Sequence, residues 1–190
     1  MAVQLVMIGG SAGSLEVILQ LLPNLDADLP FPIVIVLHRR SVTPLGIESL
    51  LSYKTDLKVR EIEDKMPMAS GEIFIAPVDY HLLVESDKSF ALDISEKVHY
   101  SRPSIDVALE SACDVYGSEM CGILLSGANS DGAAGMKCLS DKGAVTAIQE
   151  PSTCLVDVMP LSARKVIPDV KSLLPSDLAF FINNLSSNAG

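Results

Sequence analysis

Short apolar runs that alternate with segments of helical spacing are the feature of this sequence that most restricts its fold. The runs at 3–8, 33–37 and 122–125 are apolar almost throughout, as is typical of strands buried on both faces of a sheet. Apolar residues recur at helical spacing after each of them, over 15–22, 45–51 and 133–139. Strands that alternate with helices of this length predict βαβ units and therefore a parallel sheet.

The middle of the chain, from Leu57 to Val98, is divided into shorter segments by turn residues. The segments LKVREI, EIFIAP, HLLVE and SFALDI predict hairpins or an antiparallel edge joined to the parallel sheet. Helices are then predicted over 104–116, 160–166 and 178–185, and a strand over 144–148. The expected fold class is α/β, with three layers and a doubly wound, mostly parallel sheet that carries a short antiparallel edge or hairpin.

One domain accounts for the 190 residues of the chain. We expect it to cover residues 1–185, followed by a disordered tail at 186–190. Although 48% of the residues are hydrophobic, no apolar run approaches the roughly 18 residues that a membrane span needs. The N-terminus also lacks the basic segment and long apolar core of a signal peptide. The sequence therefore predicts a cytoplasmic protein without membrane insertion.

Charge and cysteine spacing exclude several classes of function. The formal net charge is −10 and the pI is about 4.6, whereas a nucleic-acid-binding protein normally carries a basic surface. The cysteines have neither C-x-x-C spacing nor an evident histidine partner, so we expect no zinc site and no disulfide framework. They are interpreted as packing groups in a reducing compartment: Cys113, Cys121, Cys138 and Cys154.

Three of the predicted strands end on residues that can do chemistry. Ser11 follows the first strand, His38 follows the second, and Asp131 lies in the loop after the strand at 122–125. Because the carboxyl ends of parallel strands share one edge of a sheet, where ligands usually bind, we expect these side chains to lie close together. A serine, a histidine and an aspartate in contact would form a hydrolytic triad.

The loop around Ser11 has the form Gly9-x-Ser11-x-Gly13 between a strand and a helix. This pattern matches the nucleophile elbow of serine hydrolases, in which small neighbours permit a sharp turn that exposes the hydroxyl. A glycine-rich phosphate loop and a simple tight turn remain as alternatives. A dinucleotide site is disfavoured, because Ser11 and Ser14 stand where it needs glycines and His38 stands where it needs an acidic residue.

His38 ends an apolar run, where a histidine has few structural duties, and it is therefore the candidate general base. His81 and His99 lie in the irregular middle region and are interpreted as structural. Asp131 has two compatible interpretations. It caps a helix N-terminus, or it accepts a hydrogen bond from His38 and fixes the tautomer of the imidazole.

Six motifs follow one another along the chain: IGGSAGSLE, VLH, GEIFIAPVDYHL, SRPSIDVALES, ILLSGANSDGAAGM and the MP of DVMP. In this order they resemble the catalytic domain of the CheB-type protein-glutamate methylesterases of bacterial chemotaxis. The resemblance covers roughly residues 3–181. It implies a single α/β domain with a mostly parallel, doubly wound sheet.

The resemblance also implies an activity and a set of roles. Ser11 would be the nucleophile of a serine esterase, His38 its general base and Asp131 the orienting acid. The implied reaction is hydrolysis of γ-glutamyl methyl esters on chemoreceptors, with deamidation of receptor glutamines in some members. No metal and no organic cofactor are implied. Backbone N–H groups near Ala12 and Ala128 would stabilise the oxyanion.

Several residues around the implied site depart from the family's pattern. Arg39 stands where the family commonly has methionine, Ala128 and Asn129 replace a Met-Gly pair, and Asp157 replaces a glycine. These changes leave open an ester substrate of another kind, or a non-catalytic module that binds a signalling partner.

Other residues and partners follow from the same interpretation. The residues expected to line the pocket or to contact an acidic receptor helix are Arg39, Arg40, Ser41, Thr43, Ser126 and Asn129. The family's receiver domain is not among these 190 residues, so the implied regulatory partner is a receiver domain or a histidine kinase acting in trans.

Overall fold

The computed structural model describes residues 2–39 and 46–185 of the chain. Its centre is a sheet of seven strands, with a separate two-stranded sheet beside it. The strands are β1 (Leu5–Gly10), β2 (Ile33–Leu37), β3 (Lys58–Glu61), β4 (Glu72–Ile75), β5 (His81–Val84), β6 (Phe90–Asp93), β7 (Met120–Leu124), β8 (Val145–Gln149) and β9 (Lys171–Leu173). The helices are α1 (Ser14–Leu21), α2 (Ile47–Ser52), α3 (Ile105–Tyr116), α4 (Ala133–Asp141), α5 (Val158–Val166) and α6 (Leu178–Asn183).

The strands of the large sheet all pair in parallel, in the order β3-β4-β2-β1-β7-β8-β9. The chain begins in the middle with β1, builds one side through β2, and returns to the other side of β1 with β7. Such a reversal opens a crevice at the carboxyl end of the central strands, where ligands bind in doubly wound sheets. The loops that follow β1, β2 and β7 carry Ser11, His38 and Asp131.

Helices cover both faces of the large sheet. The central strands β1, β2 and β7 are therefore buried at every position. Along β1, Val6 and Ile8 pack in one core with residues of α1, α2 and α6. Leu5 and Met7 point the other way and pack in a second core with residues of α3, α4 and α5. The three-layer α/β architecture that the sequence predicts is therefore confirmed.

The middle of the chain differs in part from the prediction. β5 and β6 form the expected antiparallel hairpin, but they make a small sheet of their own. β3 and β4 are parallel strands at one edge of the large sheet, so the antiparallel interpretation of their segments was wrong. β3 pairs on one side only and is partly exposed, and for that reason it lacks the long apolar run that marks a central parallel strand.

Some expectations fall outside the described residues: Arg40, Ser41, Thr43, the first residue of the helix predicted over 45–51, and the tail at 186–190. In the ranges that the structure does describe, no helix is both long enough and apolar enough to cross a membrane. The four cysteines are free thiols. Burial raises the pKa of the Cys113 thiol to about 12, which agrees with a packing role.

Candidate active site

Ser11 lies in the tight turn between β1 and α1. Gly13 closes this turn with a φ of +83°, a left-handed conformation that favours glycine, and a Cβ there would lie 2.5 Å from Leu155 Cβ. The Ser11 amide donates to Ser126 O at 2.9 Å, and Ser14 Oγ donates to Ser11 O at 2.6 Å. The backbone of Ser11 is thus fixed on both sides, while the residue lines a cavity.

His38 comes directly after β2 and is held through both its backbone and its ring. Its amide donates to Gly10 O at 3.1 Å, which continues the pairing of β1 with β2. Its Nε2 lies 2.7 Å from Asp131 Oδ2, and the two side chains are only 9% and 0% exposed. The structure therefore brings two of the three expected triad residues into direct contact.

The N-terminus of α3 fixes Asp131. Oδ1 accepts hydrogen bonds from Ser104 Oγ at 2.8 Å and Asp106 N at 3.0 Å, and Oδ2 accepts one from Ile105 N at 2.7 Å. The next helix in the chain, α4, begins after Gly132 without a side-chain cap. Asp131 thus does cap a helix and does contact His38, but the helix it caps is the earlier α3 and not the one it precedes.

Asp131 is ionised at neutral pH although it is buried. Burial opposes the negative charge, but hydrogen bonds from His38, Asp106, Ile105 and Ser104 outweigh it and lower the pKa of the carboxyl below its usual value. Because an ionised carboxylate only accepts hydrogen bonds, His38 carries its proton on Nε2. The lone pair of the neutral ring therefore lies on Nδ1, which is the nitrogen that can act as a base.

The hydroxyl that contacts this nitrogen belongs to a residue that the sequence does not single out. Ser101 Oγ lies 3.2 Å from His38 Nδ1, whereas within the described residues Ser11 Oγ forms no hydrogen bond to the ring. The contact expected between Ser11 and His38 is thus not made in this conformation. The two residues instead line one cavity of about 170 Å³, which also includes apolar residues of α1, α2 and β2.

A strained turn holds Ser101 against His38. Val98 and Ser101 exchange two backbone hydrogen bonds, at 3.2 and 2.8 Å, and the residues between them, His99 and Tyr100, have φ values of +50° and +62°. Positive φ is unfavourable for side chains of this size, and such strain is concentrated at functional sites. The turn leaves Tyr100 98% exposed.

Arg39 and Ser126 have partners that the sequence does not reveal. Arg39 lines two cavities of the site, and its Nη2 donates to Glu61 Oε2 at 2.8 Å. Ser126 is fully buried and is not among the residues that line either cavity, contrary to the expectation. Its hydroxyl donates to Ala12 O at 2.6 Å and accepts from Val156 N at 3.0 Å, so it joins three loops at the sheet edge.

The remaining candidates are Ala12, Ala128 and Asn129. Ala12 is exposed and lines neither cavity, and its N–H makes no hydrogen bond with the described residues, so this amide has no competing acceptor among them. Ala128 is exposed but does not line either cavity. Asn129 does not line them either, and its side chain forms hydrogen bonds with the backbone of neighbouring loops. Its Oδ1 accepts from Asp131 N at 3.2 Å and its Nδ2 donates to His99 O at 3.4 Å.

The other two histidines have structural partners, as the sequence predicts. His81 is 1% exposed, its Nδ1 accepts from Ser104 N at 3.1 Å, and its Nε2 donates to Glu96 O at 2.9 Å. His81 thereby supports the same helix N-terminus that holds Asp131. His99 Nε2 lies 3.3 Å from Asp106 Oδ2.

Asp106 is a second buried carboxyl at the start of α3. Burial raises its pKa to about 6 and the charge of Asp131 adds to this, although a hydrogen bond from Gly135 N and the nearby His99 favour the ionised form. The folded protein therefore holds this proton more tightly than the unfolded chain does. Its contribution to stability is present in acid and is lost as the pH rises from 3.8 to about 6.

Replacing Asp106 by asparagine, which does not ionise, should remove this pH dependence. The substituted side chain carries no charge at any pH, and its oxygen can still accept from Gly135 N. We expect Asp106→Asn to be more stable than the wild type above about pH 6, by about 1–3 kcal/mol. The advantage should shrink towards about pH 4. Urea unfolding at both pH values measures it, and an equal difference at both would contradict the assignment.

A doubly wound α/β sheet that carries an aspartate-bound histidine and serine hydroxyls at its carboxyl edge defines a hydrolase-type site. The family model described as CheB methylesterase matches residues 6–182 of the chain. The chain therefore belongs to the CheB methylesterase family.

Named relatives and a solved structure agree with this assignment. A candidate protein-glutamate methylesterase/protein-glutamine glutaminase of Leptospira interrogans is 40% identical over 158 residues, which cover 83% of this chain and 82% of that protein. The protein-glutamate methylesterase/protein-glutamine glutaminase of Symbiobacterium thermophilum is 36% identical over 87% of this chain, but only 47% of that longer protein is covered. The crystal structure of the Thermotoga maritima CheB methylesterase catalytic domain matches with a TM-score of 0.91 and 29% identity, over 97% of this chain and 100% of that one.

Proposed function

We propose that this protein is a cytoplasmic serine esterase that hydrolyses γ-glutamyl methyl esters on chemoreceptors to glutamate and methanol. Deamidation of receptor glutamines is the second reaction proposed for the same site. Family membership and the names of the relatives support this proposal. The proposed mechanism uses side chains, backbone amides and water. The proposed regulator of the protein is a receiver domain or a histidine kinase acting in trans.

The first step is attack by Ser11 on the ester carbonyl. As Ser11 Oγ forms a bond to the carbonyl carbon, its proton passes to His38 Nδ1. Asp131 holds the opposite nitrogen at 2.7 Å, which keeps the ring in the reactive tautomer and stabilises the imidazolium that forms. For this step the Ser11 hydroxyl takes the place at Nδ1 that Ser101 occupies here.

The oxyanion of the tetrahedral intermediate needs donors near Ser11. The Ser11 amide is already bonded to Ser126 O, so the proposed donor is the Ala12 N–H, which lies two residues before α1 and has no acceptor among the described residues. A helix N-terminus favours a negative charge at this position. Loss of one such donor typically lowers the rate by about 10²–10³-fold.

The intermediate then breaks down in two stages. The bond between the carbonyl carbon and the methoxy oxygen breaks, and the proton on His38 Nδ1 goes to the leaving methanol. Neutral His38 next takes a proton from water as the water oxygen attacks the acyl-Ser11 ester. The proton returns to Ser11 Oγ when glutamate is released, which restores the starting state.

One observation carries the proposal above the others. The aspartate-bound His38 and the loop serine Ser11 line the same small cavity, whose remaining walls are largely apolar and suit the aliphatic part of a glutamyl methyl ester. Three donors at the N-terminus of α3 anchor Asp131, and this keeps the His38–Asp131 pair rigid.

Methanol release tests the substrate. We expect the protein to release methanol from a methylated chemoreceptor fragment with a much higher kcat/KM than from a small aliphatic methyl ester. Hydrolysis of the small ester alone would indicate an esterase with another substrate. If both substrates are inert with wild-type protein and with Ser11→Ala alike, the chain is a binding module and the proposal is wrong.

A further inference from the structure

A larger cavity, of about 530 Å³, adjoins His38 and is lined by Ser101 but not by Ser11. Its other wall residues are Arg39, Val78, Asp79, Lys97, Tyr100 and Arg102. Three of them are cationic and one is acidic. The wall of this cavity therefore carries a net positive charge, although the formal net charge of the chain is −10.

Two arginines of this wall have N–H donors that are not used. Nε of Arg39 and Nε of Arg102 are buried, and neither finds an acceptor among the described residues. A buried donor without a partner costs free energy, so native proteins rarely keep one that has no role. Because these two atoms are closed to solvent, a ligand would meet the other nitrogens of the cationic side chains, and it is the three cations of the wall that indicate an anionic ligand.

The remaining contacts of the two arginines hold them in place. Arg39 Nη2 donates to Glu61 at 2.8 Å, and Arg102 Nη1 donates to the carbonyl oxygens of Ile94 and Ser95 at 2.7 and 2.8 Å. Holding the guanidinium groups in advance reduces the entropy that a ligand must overcome on binding.

The acidic neighbours do not cancel the cations. Asp79 lies in the wall and Glu61 is bonded to Arg39, while Arg102 and the exposed Lys97 form no ion pair within the described residues. The three cations, Arg39, Lys97 and Arg102, thus exceed the two acidic groups, Asp79 and Glu61, by one charge. A planar group with two acceptor oxygens fits guanidinium donors best, which points to a carboxylate.

We propose that this cavity is a carboxylate subsite, which binds an acidic side chain close to the scissile ester on the same polypeptide substrate. The inference rests on the proposed function. In that reaction the scissile ester lies with Ser11 in the smaller cavity, so the group in the larger cavity is a different part of the substrate. His38 and Arg39 line both cavities, and the carboxylate is therefore bound next to the reacting bond.

Two matched peptides test the subsite. Each carries one glutamyl methyl ester, and the neighbouring positions hold glutamate in the first peptide and glutamine in the second. We expect the acidic peptide to have about a tenfold higher kcat/KM, chiefly through KM, because charge-assisted hydrogen bonds in a partly exposed cavity contribute modestly. The preference should shrink as salt is added.

Three variants locate the effect. Arg102→Gln and Lys97→Gln should each reduce the preference for the acidic peptide at least threefold. Lys97 is exposed and makes no ion pair within the described residues, so its replacement does not threaten folding. Arg60→Gln is the matched control, because Arg60 lines neither cavity and pairs with Glu72, and it should keep the full preference.

A binding measurement separates this proposal from the proposed function. Fluorescently labelled versions of both peptides are titrated with Ser11→Ala, so that affinity is read without turnover. Tighter binding of the acidic peptide, weakened by Lys97→Gln in the same background, supports the subsite even if no methanol is released. Equal affinity of the two peptides overturns the subsite, whether or not the wild type is an esterase. A preference that both Arg102→Gln and Lys97→Gln retain also overturns it.

Discussion

Replacing Ser11 by alanine is expected to abolish ester hydrolysis, with a fall in kcat of about 10⁴-fold or more. Alanine has no oxygen to form the acyl intermediate, and the remaining groups provide only oxyanion binding and positioning. The fold should be unaffected, because Ser11 is held through its backbone N–H and C=O. Methanol release from a small methyl ester measures the loss, and the thermal unfolding midpoint checks the fold.

Ser101→Ala is the matched control for this prediction. Ser101 is the hydroxyl that contacts His38 Nδ1 in the structure, at 3.2 Å, so distance alone would favour it as the nucleophile. It lines the larger cavity, however, and not the smaller one that Ser11 lines with His38. We expect Ser101→Ala to keep activity within about tenfold of the wild type. Loss of activity in Ser101→Ala with activity retained in Ser11→Ala would reverse the two roles.

Replacing Asp131 by alanine should lower both activity and stability. The substitution leaves the buried donors Ser104 Oγ, Ile105 N and Asp106 N without their acceptor, and an unpaired buried donor costs about 1–3 kcal/mol. We expect a loss of about 3 kcal/mol or more in the free energy of unfolding, measured with urea. Activity should fall by about 10⁴-fold, because His38 loses the group that fixes its tautomer.

Asp131→Asn separates these two roles. An asparagine Oδ1 can still accept from Ser104 Oγ and Asp106 N, so two of the three cap hydrogen bonds of α3 survive, while Ile105 N loses its acceptor. Its Nδ2, however, is a donor facing His38 Nε2 and favours the tautomer with the proton on Nδ1. We expect a smaller loss of stability than in Asp131→Ala but a similar loss of activity. If the asparagine variant retains activity while unfolding as the alanine variant does, Asp131 serves the helix and not the histidine.

The sequence predicts the strand ends well, because long apolar runs mark the central parallel strands. Ser11, His38 and Asp131 could be grouped because the sheet brings the carboxyl ends of β1, β2 and β7 together. The contact between His38 and Asp131 follows from that geometry. Edge strands are harder to recognise: β3 is partly exposed and β9 has only three residues, and neither has a distinctive pattern.

Other parts of the site depend on contacts between distant segments. The anchoring of Asp131 at the start of α3 joins a loop to a helix that precedes it in the chain. Ser104, just before that helix, is of a type that caps helices, but this does not identify which carboxylate it meets. Ser101 reaches His38 through a turn with positive φ at His99 and Tyr100. Glycine or asparagine is the usual mark of such a turn, and neither is present.

The measurement that tests the central claim most directly is the identity of the serine that reacts with an electrophile. The wild-type protein is treated with a serine-reactive phosphonate, digested, and analysed by mass spectrometry for the modified residue. A phosphonate adds to a serine whose proton a neighbouring base removes. The account predicts modification of Ser11, which is lost in Asp131→Asn. Modification of Ser101 with Ser11 unmodified, or of no serine at all, would contradict it.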